Sequence, residues 1–338
     1  MKKIMLISLI ISLSLISCKT AKKGNDMNDS TAALHPIIID TDANNELDDQ
    51  HALAYALFNS DVFDIKGVTV NHTAVGTVQN DYDEAKRVMQ LCKAWGKIPL
   101  YKGVNEGRYP DLKDKLGTPE HEGYEAIDFI IAQAHAHDGA DGPLILAPVG
   151  KLTNIALALD KDPSIVKKVK VVWLGGNYYG KDGEDGEHNL VHDPASYNAV
   201  IESGVDFTMV TVRYGAPSGT DAVAVHVKDI QKLMPGLGPV TEAVTGRHGG
   251  SFTCFGDYSI NLFVNYTDGT RPLFDMVLFA TMKNPDWTEI STIPAPKLDG
   301  ENWSGTFNDR TITLMENFDK DAILDDFFDT MRNPVLVK

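Results

Sequence analysis

Acidic side chains are concentrated near the start of the chain. Asp40, Asp42, Glu46, Asp48 and Asp49 fall within ten residues. Like charges packed this closely repel one another unless a positive group compensates them. A helix N-terminus offers about half a charge, whereas a divalent cation with oxygen ligands, Ca²⁺ or Mg²⁺, offers far more. The stretch therefore predicts a divalent-cation site, and the alternative is a solvated acidic loop in which Asp48 caps the following helix.

The surrounding sequence indicates which elements would position this cluster. From Pro36 onward, short β-branched runs alternate with amphipathic helical stretches. Strands are predicted at 36–40, 65–70, 144–147, 169–173 and 207–212, and helices at 47–58, 78–95, 124–136, 153–159 and 194–203. This alternation predicts a single α/β domain with a mostly parallel open sheet and helices on both faces. Ligands bind beyond the carboxyl ends of such strands, which is where the acidic cluster follows the first strand. The Gly-rich segments 180–186 and 246–256 are predicted to be active-site loops.

The composition narrows the classes of partner. The 338 residues include 31 Lys and Arg against 47 Asp and Glu, a net charge of −16, and 43% are hydrophobic. This usage is typical of a globular protein with a large core rather than of a disordered chain. An acidic surface repels phosphate backbones and anionic lipids, which argues against nucleic-acid or membrane-surface binding. Small molecules and cations remain as the expected partners.

The N-terminus is predicted to be a targeting segment. Residues 1–17 carry two lysines and then an apolar run too short to span a bilayer, as in a secretory signal peptide. The run ends at Leu15-Ile16-Ser17-Cys18, which resembles a bacterial lipobox with Cys18 as the lipidated residue. An ordinary signal peptide with a coincidental cysteine is the alternative. We expect a lipoprotein exported to the bacterial cell envelope, attached to a membrane only through this anchor. A flexible tether follows at 18–35 and a folded domain at 36–338.

The acidic stretch resembles the nucleoside hydrolase family of the inosine–uridine-preferring type, whose first strand ends in a DTDxGxDD-like motif. The spacing from Asp42 to Asp48 is longer than usual, six positions. Further segments resemble family motifs in the same order: Ala147-Pro-Val-Gly-Lys-Leu-Thr-Asn-Ile-Ala-Leu-Ala158 (GPLTNIALA), residues 173–177 with 187–195 (MGG…EFNxxxDPEA), and 274–280 (HDALAVA). The resemblance covers about residues 37–287 and implies the nucleoside hydrolase-like, Rossmann-like fold.

This resemblance implies a metal-dependent hydrolase that cleaves the N-glycosidic bond of ribonucleosides to ribose and free base. The reaction passes through an oxocarbenium-like transition state and needs an activated water, which a divalent cation such as Ca²⁺ helps to supply. Family members often form homo-oligomers, although no interface for a homo-oligomer can be read from this sequence. By motif position, the implied roles are metal ligation by Asp42, Asp49, Asp275 and the Thr153 carbonyl, general-base catalysis by Asp42, ribose binding by Asp48, Asn177, Glu187 and Asn189, and orientation of the ligands by Asp40.

Phe274 stands where many family members place a histidine that protonates the leaving base. An aromatic ring cannot donate that proton. Either another group does so, with His248 in a Gly-rich loop as a candidate, or the base leaves activated by stacking on Tyr258, Trp287 or Trp303.

Two other functional classes compete with this interpretation. Asp40-Thr-Asp42 after a strand is similar to the nucleophile motif of haloacid dehalogenase-type phosphohydrolases, but Thr or Val would be expected at Asn44. The second class is a surface lipoprotein that keeps the pocket and only binds nucleosides or sugars. Retention of Asp42, Asp49, Thr153 and Asp275 favours an enzyme.

Overall fold

The centre of this computed structural model, which describes residues 34–338, is a nine-stranded sheet. Cys18, the predicted signal peptide and almost all of the predicted tether lie outside the described residues. The strands are β1 His35–Thr41, β2 Phe63–Val70, β3 Leu100–Lys102, β4 Leu144–Pro148, β5 Val169–Leu174, β6 Gly183–Glu184, β7 Asp206–Val210, β8 Ala224–His226, β9 Val244–Thr245, β10 Ser251–Phe252, β11 Thr270–Pro272, β12 Glu289–Asp299 and β13 Asn302–Glu316.

The helices cover both faces of the sheet. They are α1 Asp48–Leu57, α2 Val78–Leu91, α3 Tyr109–Leu112, α4 Tyr124–Ala136, α5 Thr153–Lys161, α6 His188–His192, α7 Pro194–Ser203, α8 Val227–Leu233, α9 Phe255–Tyr266, α10 Phe274–Lys283 and α11 Lys320–Arg332. No helix among the described residues is long and apolar enough to cross a membrane.

The sheet is parallel over most of its width. Its order is β12-β13-β7-β5-β4-β1-β2-β3, and neighbours are parallel from β13 to β3. Within residues 34–338, only β12 and β6 run antiparallel to β13. The small β8–β11 and β9–β10 pairs lie outside this sheet. The predicted α/β class with a mostly parallel sheet is therefore confirmed.

Consecutive side chains of β1 show why the sheet is buried on both faces. Ile37 and Ile39 pack into the core formed with α1, α2, α9 and α10, whereas Ile38 packs into the core formed with α4, α5 and α7. Successive residues of a strand point to opposite faces, so a central parallel strand needs apolar residues at every position.

The predicted helix at 78–95 ends early, at Leu91. Lys93 has a φ of 57°, in the left-handed region, and a residue in that conformation terminates a helix. The apolar pattern that suggested a longer helix continues because Cys92 and Ala94 are buried in the core although they lie beyond the helix. Cys92 is a buried free cysteine.

The sequence did not predict the antiparallel β12–β13 hairpin at one edge of the sheet. Strand β12 is the edge strand, most of its side chains are exposed, and its register with β13 shifts around Pro294 and Pro296. Proline has no N–H for a ladder, so it is found at edges and irregularities of sheets.

Candidate active site

One pocket lies at the carboxyl ends of the central parallel strands. Asp42 follows β1, Val149 follows β4, Leu174 ends β5, and Val212 and Tyr214 follow β7, and all five line the pocket. Its cavity volume of about 230 Å³ suits a small molecule rather than a macromolecular chain. The carboxyl ends of strands that are far apart in sequence thus lie together at one edge of the sheet, as the parallel topology requires.

Three carboxylates from two distant parts of the sequence meet in this pocket. Asp48 and Asp49 begin α1, Asp275 lies in the first turn of α10, and these two helices pack against each other. One carboxylate oxygen from each residue lies within 4.8 Å of the others, and all three side chains are buried. Helix N-termini favour negative charge, but two of them cannot compensate three carboxylates.

The electrostatics of the cluster match the needs of a divalent cation. Burial, reinforced by the neighbouring carboxylates, raises the pKa of Asp48, Asp49 and Asp275 well above the ordinary value. Burial also raises the pKa of Asp42 to about 7. Its Oδ2 atom is buried without a hydrogen-bond partner among residues 34–338. Buried oxygens with too little compensating charge are the donor set that Ca²⁺ prefers, so the residues fit such an ion.

Asp40 lies behind the pocket and joins three structural segments. Its Oδ1 accepts hydrogen bonds from Thr69 Oγ1 at 2.6 Å and Asn154 Nδ2 at 2.8 Å, and its Oδ2 accepts one from Asn71 Nδ2 at 2.8 Å. Burial raises the pKa of Asp40 to about 6, and these hydrogen bonds oppose the rise. The side chain therefore fixes the ends of β1 and β2 and the start of α5 relative to Asp42. This arrangement suits the orienting role predicted for it.

Glu187 and Asn189 line the pocket on the side of α6. The Glu187 carboxylate caps that helix, accepting from Asn189 N at 2.9 Å, and also accepts from Gly176 N at 2.9 Å. Burial raises its pKa to about 7. Asn189 Nδ2 donates to the Val149 carbonyl at 2.7 Å. Both side chains are thus held rigidly by backbone groups, as residues that orient a substrate must be.

Thr153, whose carbonyl is predicted to be a metal ligand, is not among the residues that line the pocket. It is the first residue of α5, and its Oγ1 donates to Asp193 at 2.6 Å. A carbonyl in the first turn of a helix accepts from the N–H four residues later and points along the helix axis. The backbone that borders the pocket here is that of Val149, because β4 ends at Pro148.

Asn177 also lies outside the pocket lining. Its Nδ2 donates to the Asp185 carbonyl at 2.8 Å, and its Oδ1 accepts from Tyr214 N at 3.1 Å. Asn177 therefore joins the loop at 180–186 to the segment after β7. Its side chain supports Tyr214 rather than facing the cavity.

The aromatic residues of the pocket are not the predicted ones. Tyr258 and Trp303 are buried in the two cores, and Trp287 packs against the first core. Tyr214 and Phe274 line the pocket instead, with ring centroids 5.8 Å apart and planes nearly perpendicular. Because ligands bind beyond the carboxyl ends of parallel strands, Tyr214 could have been predicted from its position shortly after β7.

The Gly-rich segments 180–186 and 246–256 contribute no lining residue. The first pairs with β13 through β6, and the second contains β10. His248, the candidate proton donor, is exposed between β9 and β10 and does not line the pocket. The second segment contacts a residue of the pocket wall, because Arg247 Nη1 donates to the Glu46 carbonyl at 3.3 Å.

Arg271 and His188 also line the pocket, although the sequence resemblance assigned no role to either. Arg271, on β11, forms an ion pair with Glu46 and lies 3.3 Å from Asp48, and burial lowers its pKa to about 10. Burial also lowers the pKa of His188 to about 4, and its Nε2 accepts from Asn45 Nδ2 at 2.9 Å. At neutral pH Arg271 is therefore charged and His188 is neutral.

Comparisons with known proteins agree with this geometry. Residues 37–323 match the family described as inosine-uridine preferring nucleoside hydrolase. A non-specific ribonucleoside hydrolase, RihC, of Klebsiella pneumoniae is 29% identical over 191 residues, covering 52% of this chain and 60% of that protein. Uridine nucleosidase 1 of Arabidopsis thaliana is 31% identical over 197 residues, covering 52% of this chain and 56% of that protein. The chain thus spans a little more than half the length of the curated relatives it matches.

Solved structures share the fold over nearly the whole domain. A plant nucleoside hydrolase superposes with a TM-score of 0.67 at 19% identity, covering 88% of this chain and 99% of that one. A purine-preferring ribonucleoside hydrolase from Gardnerella vaginalis superposes with a TM-score of 0.66 at 20% identity, covering 88% and 98%. The haloacid dehalogenase alternative finds no support in these matches. From the match over residues 37–323, the chain belongs to the inosine-uridine preferring nucleoside hydrolase family.

Proposed function

We propose that the protein is a metal-dependent hydrolase that cleaves the N-glycosidic bond of ribonucleosides to ribose and free base. The observation that carries the proposal is the meeting of Asp48, Asp49 and Asp275 in one buried pocket. Asp42, Glu187 and Asn189 line the same pocket. Membership of the family supports the same reaction class.

The proposed cation is Ca²⁺, held by Asp42, Asp49, Asp275 and a backbone carbonyl. We assign that carbonyl to Val149 rather than Thr153, because Val149 borders the pocket. Such a cation, when bound, supplies Lewis acidity toward water and ribose oxygens. Asp48 lies in the same carboxylate cluster, and we assign it to accept a ribose hydroxyl.

Side chains of the protein accept the proton of the water, hold the ribose and position these groups. Asp42 accepts the proton of the attacking water, since its buried Oδ2 is not engaged by any described side chain or backbone group. Glu187 and Asn189 hold further ribose hydroxyls and so favour a ribose poised for an oxocarbenium-like transition state. Asp40 accepts from Asn71 Nδ2 and from Thr69 and Asn154, and so fixes the strand ends beside Asp42.

We also propose export and lipidation at Cys18, with the folded domain held at a membrane of the cell envelope by the anchor alone. The support is the sequence of residues 1–18, an apolar segment followed by a lipobox-like cysteine.

The function is tested by incubating the purified protein with Ca²⁺ and a panel of purine and pyrimidine ribonucleosides and measuring reducing sugar. We expect ribose release that stops when EDTA removes the metal and resumes when Ca²⁺ is restored. Binding of nucleosides without ribose release from any of them would instead favour a binding protein.

The metal site is tested by Asp49→Ala. This variant should lose Ca²⁺ binding and activity together, because it removes one of the three carboxylates of the cluster. Calorimetry measures the Ca²⁺ affinity, and Asp64→Ala, which changes a partly exposed aspartate on β2, is the matched control. Unchanged Ca²⁺ affinity in Asp49→Ala would contradict the assignment.

A further inference from the structure

Arg271 is the one arginine or lysine among the described residues that line the pocket. It lies three residues before Phe274, and its guanidinium carbon is 5.0 Å from the centre of that ring. The Tyr266 ring lies 4.9 Å from the same carbon. Two aromatic rings and the ion pair with Glu46 therefore fix the position of the guanidinium at the wall of the cavity.

Arg271 has hydrogen-bond donors that the surrounding protein does not use. A guanidinium carries five N–H donors and no acceptor. Its Nη2 serves both Glu46 and Asp48. Its Nε is buried without a partner, and no hydrogen bond within residues 34–338 involves Nη1. The Nε atom is enclosed by the protein, whereas Nη1 is not among the buried atoms without a partner, so the N–H groups of Nη1 are open to an acceptor supplied by a ligand.

In the proposed reaction, the leaving base needs a hydrogen-bond donor of this kind. When the N-glycosidic bond breaks, negative charge develops on the leaving base, and Phe274 has no proton to offer it. We propose that Arg271 is a catalytic residue whose Nη1 N–H groups donate to an acceptor atom of the leaving base. This inference rests on the proposed nucleosidase activity. It assigns the substrate class as ribosides whose leaving heterocycle carries an acceptor nitrogen or carbonyl oxygen.

The electrons and protons of this step balance without an added acid. The bond between the water oxygen and C1′ forms, the C1′–N bond breaks, and its electron pair goes to the base. Asp42 takes the proton of the water. The base departs as an anion hydrogen-bonded to Arg271, which retains all its protons because a guanidinium does not act as an acid near neutral pH. Solvent water protonates the base after release.

The competing explanation is that Arg271 only neutralises Glu46 and Asp48. The two explanations differ in their dependence on the leaving group. A donor to the base matters most for a poor leaving group and little for p-nitrophenolate, which is stable as an anion. A structural cation would affect all substrates by the same factor.

The test compares kcat of the wild type and of Arg271→Gln on inosine, uridine and p-nitrophenyl riboside at saturating Ca²⁺. We expect kcat on the nucleosides to fall about 10²-fold, the typical effect of removing a donor to developing negative charge. The kcat on p-nitrophenyl riboside should change little. Arg271→Lys keeps the charge but loses the planar set of donors, so its nucleoside rates should lie between those of the other two.

Arg310→Gln is the matched control. Arg310 also has a buried Nε without a partner, but it lies on β13 and donates to the Val205 carbonyl at 2.8 Å, outside the pocket. Its substrate ratio should equal that of the wild type. Equal losses on all substrates, or none, in the Arg271 variants would overturn the inference, and Arg271→Lys supplies this ratio if Arg271→Gln does not fold. A wild type that cleaves no riboside would instead refute the proposed function.

Discussion

Asp42 differs from its acidic neighbours in having a buried oxygen that no described residue engages. Asp40 is saturated with hydrogen bonds, and Asp49 Oδ1 accepts one from Thr41 at 2.7 Å. A carboxylate of the pocket wall that has one oxygen without a partner and a pKa near neutrality is well suited to accept a proton. The proposed division of roles among these similar residues therefore follows from their surroundings rather than from their type.

Asp42→Asn should abolish turnover of every riboside, including p-nitrophenyl riboside, because activation of water is needed whatever the leaving group. The expected loss in kcat is at least ~10²-fold. Steady-state kinetics on inosine and p-nitrophenyl riboside measure it. Asp206→Asn, at an exposed position at the start of β7, is the control. Near-normal rates in Asp42→Asn would contradict the general-base assignment.

At the scale of elements, the site depends on how the strand ends are tied together. Asn154 on α5 performs much of this task, since its Nδ2 donates to Asp40 on β1 at 2.8 Å and its Oδ1 accepts from Val104 N at 3.0 Å. Val104 follows β3, so one side chain joins a helix, a central strand and the loop beyond an edge strand.

Asn154→Ala should lower the free energy of unfolding by about 2 kcal/mol, because it leaves a buried N–H and a buried carboxylate short of partners. Urea unfolding followed by circular dichroism measures the change. Asn265→Ala, on the exposed face of α9, should stay within about 0.5 kcal/mol of the wild type. If the two variants are equally stable, Asn154 is not the connection described here.

Hydrophobic periodicity predicted the central elements well, since buried parallel strands and their helices have clear patterns. The acidic cluster was predictable because Asp42 directly follows a strand. Arg271 was not, because β11 is short and lies outside the main sheet. Tyr258 and Trp303 were misplaced because residue type does not tell whether an aromatic ring packs in a core or faces a pocket.

At the scale of the molecule, the burial of acidic groups links metal binding to stability. In the metal-free protein, burial raises the pKa of Asp42 from an ordinary 3.8 to about 7. A raised carboxyl pKa means that the fold favours the protonated form. The stabilisation that the protonated Asp42 carboxyl gives the fold is complete below about pH 4 and is lost as the pH rises through about 7.

The gain in melting temperature on adding Ca²⁺ should therefore be larger at the upper end of this pH window than at the lower end. The cation compensates the carboxylates only once they are ionised. Thermal unfolding with Ca²⁺ and with EDTA at both ends of the window measures the gain, and Asp49→Ala should show none at either. A gain that is constant or shrinks with rising pH would refute this linkage.

Cys18→Ser should release the protein in soluble form. One acyl chain binds membranes only marginally, whereas the several chains of a lipoprotein bind stably, and the variant would carry none. Fractionation of cells expressing each form, followed by immunoblotting, measures the distribution. Retention of the variant in the membrane fraction at the level of the wild type would show that Cys18 is not the anchor.

Edge strand β12 bears on the tendency of the protein to aggregate at high concentration. A long, regular edge strand is a template on which another chain can extend the sheet, and aggregation often begins there. In β12, Pro294 and Pro296 coincide with shifts in register, so the regular spacing of backbone groups is broken midway along the strand. Prolines and bulges at edges are among the features that keep native sheets from pairing with one another. We therefore expect the hairpin that completes the sheet to hinder fibril-like growth at this edge.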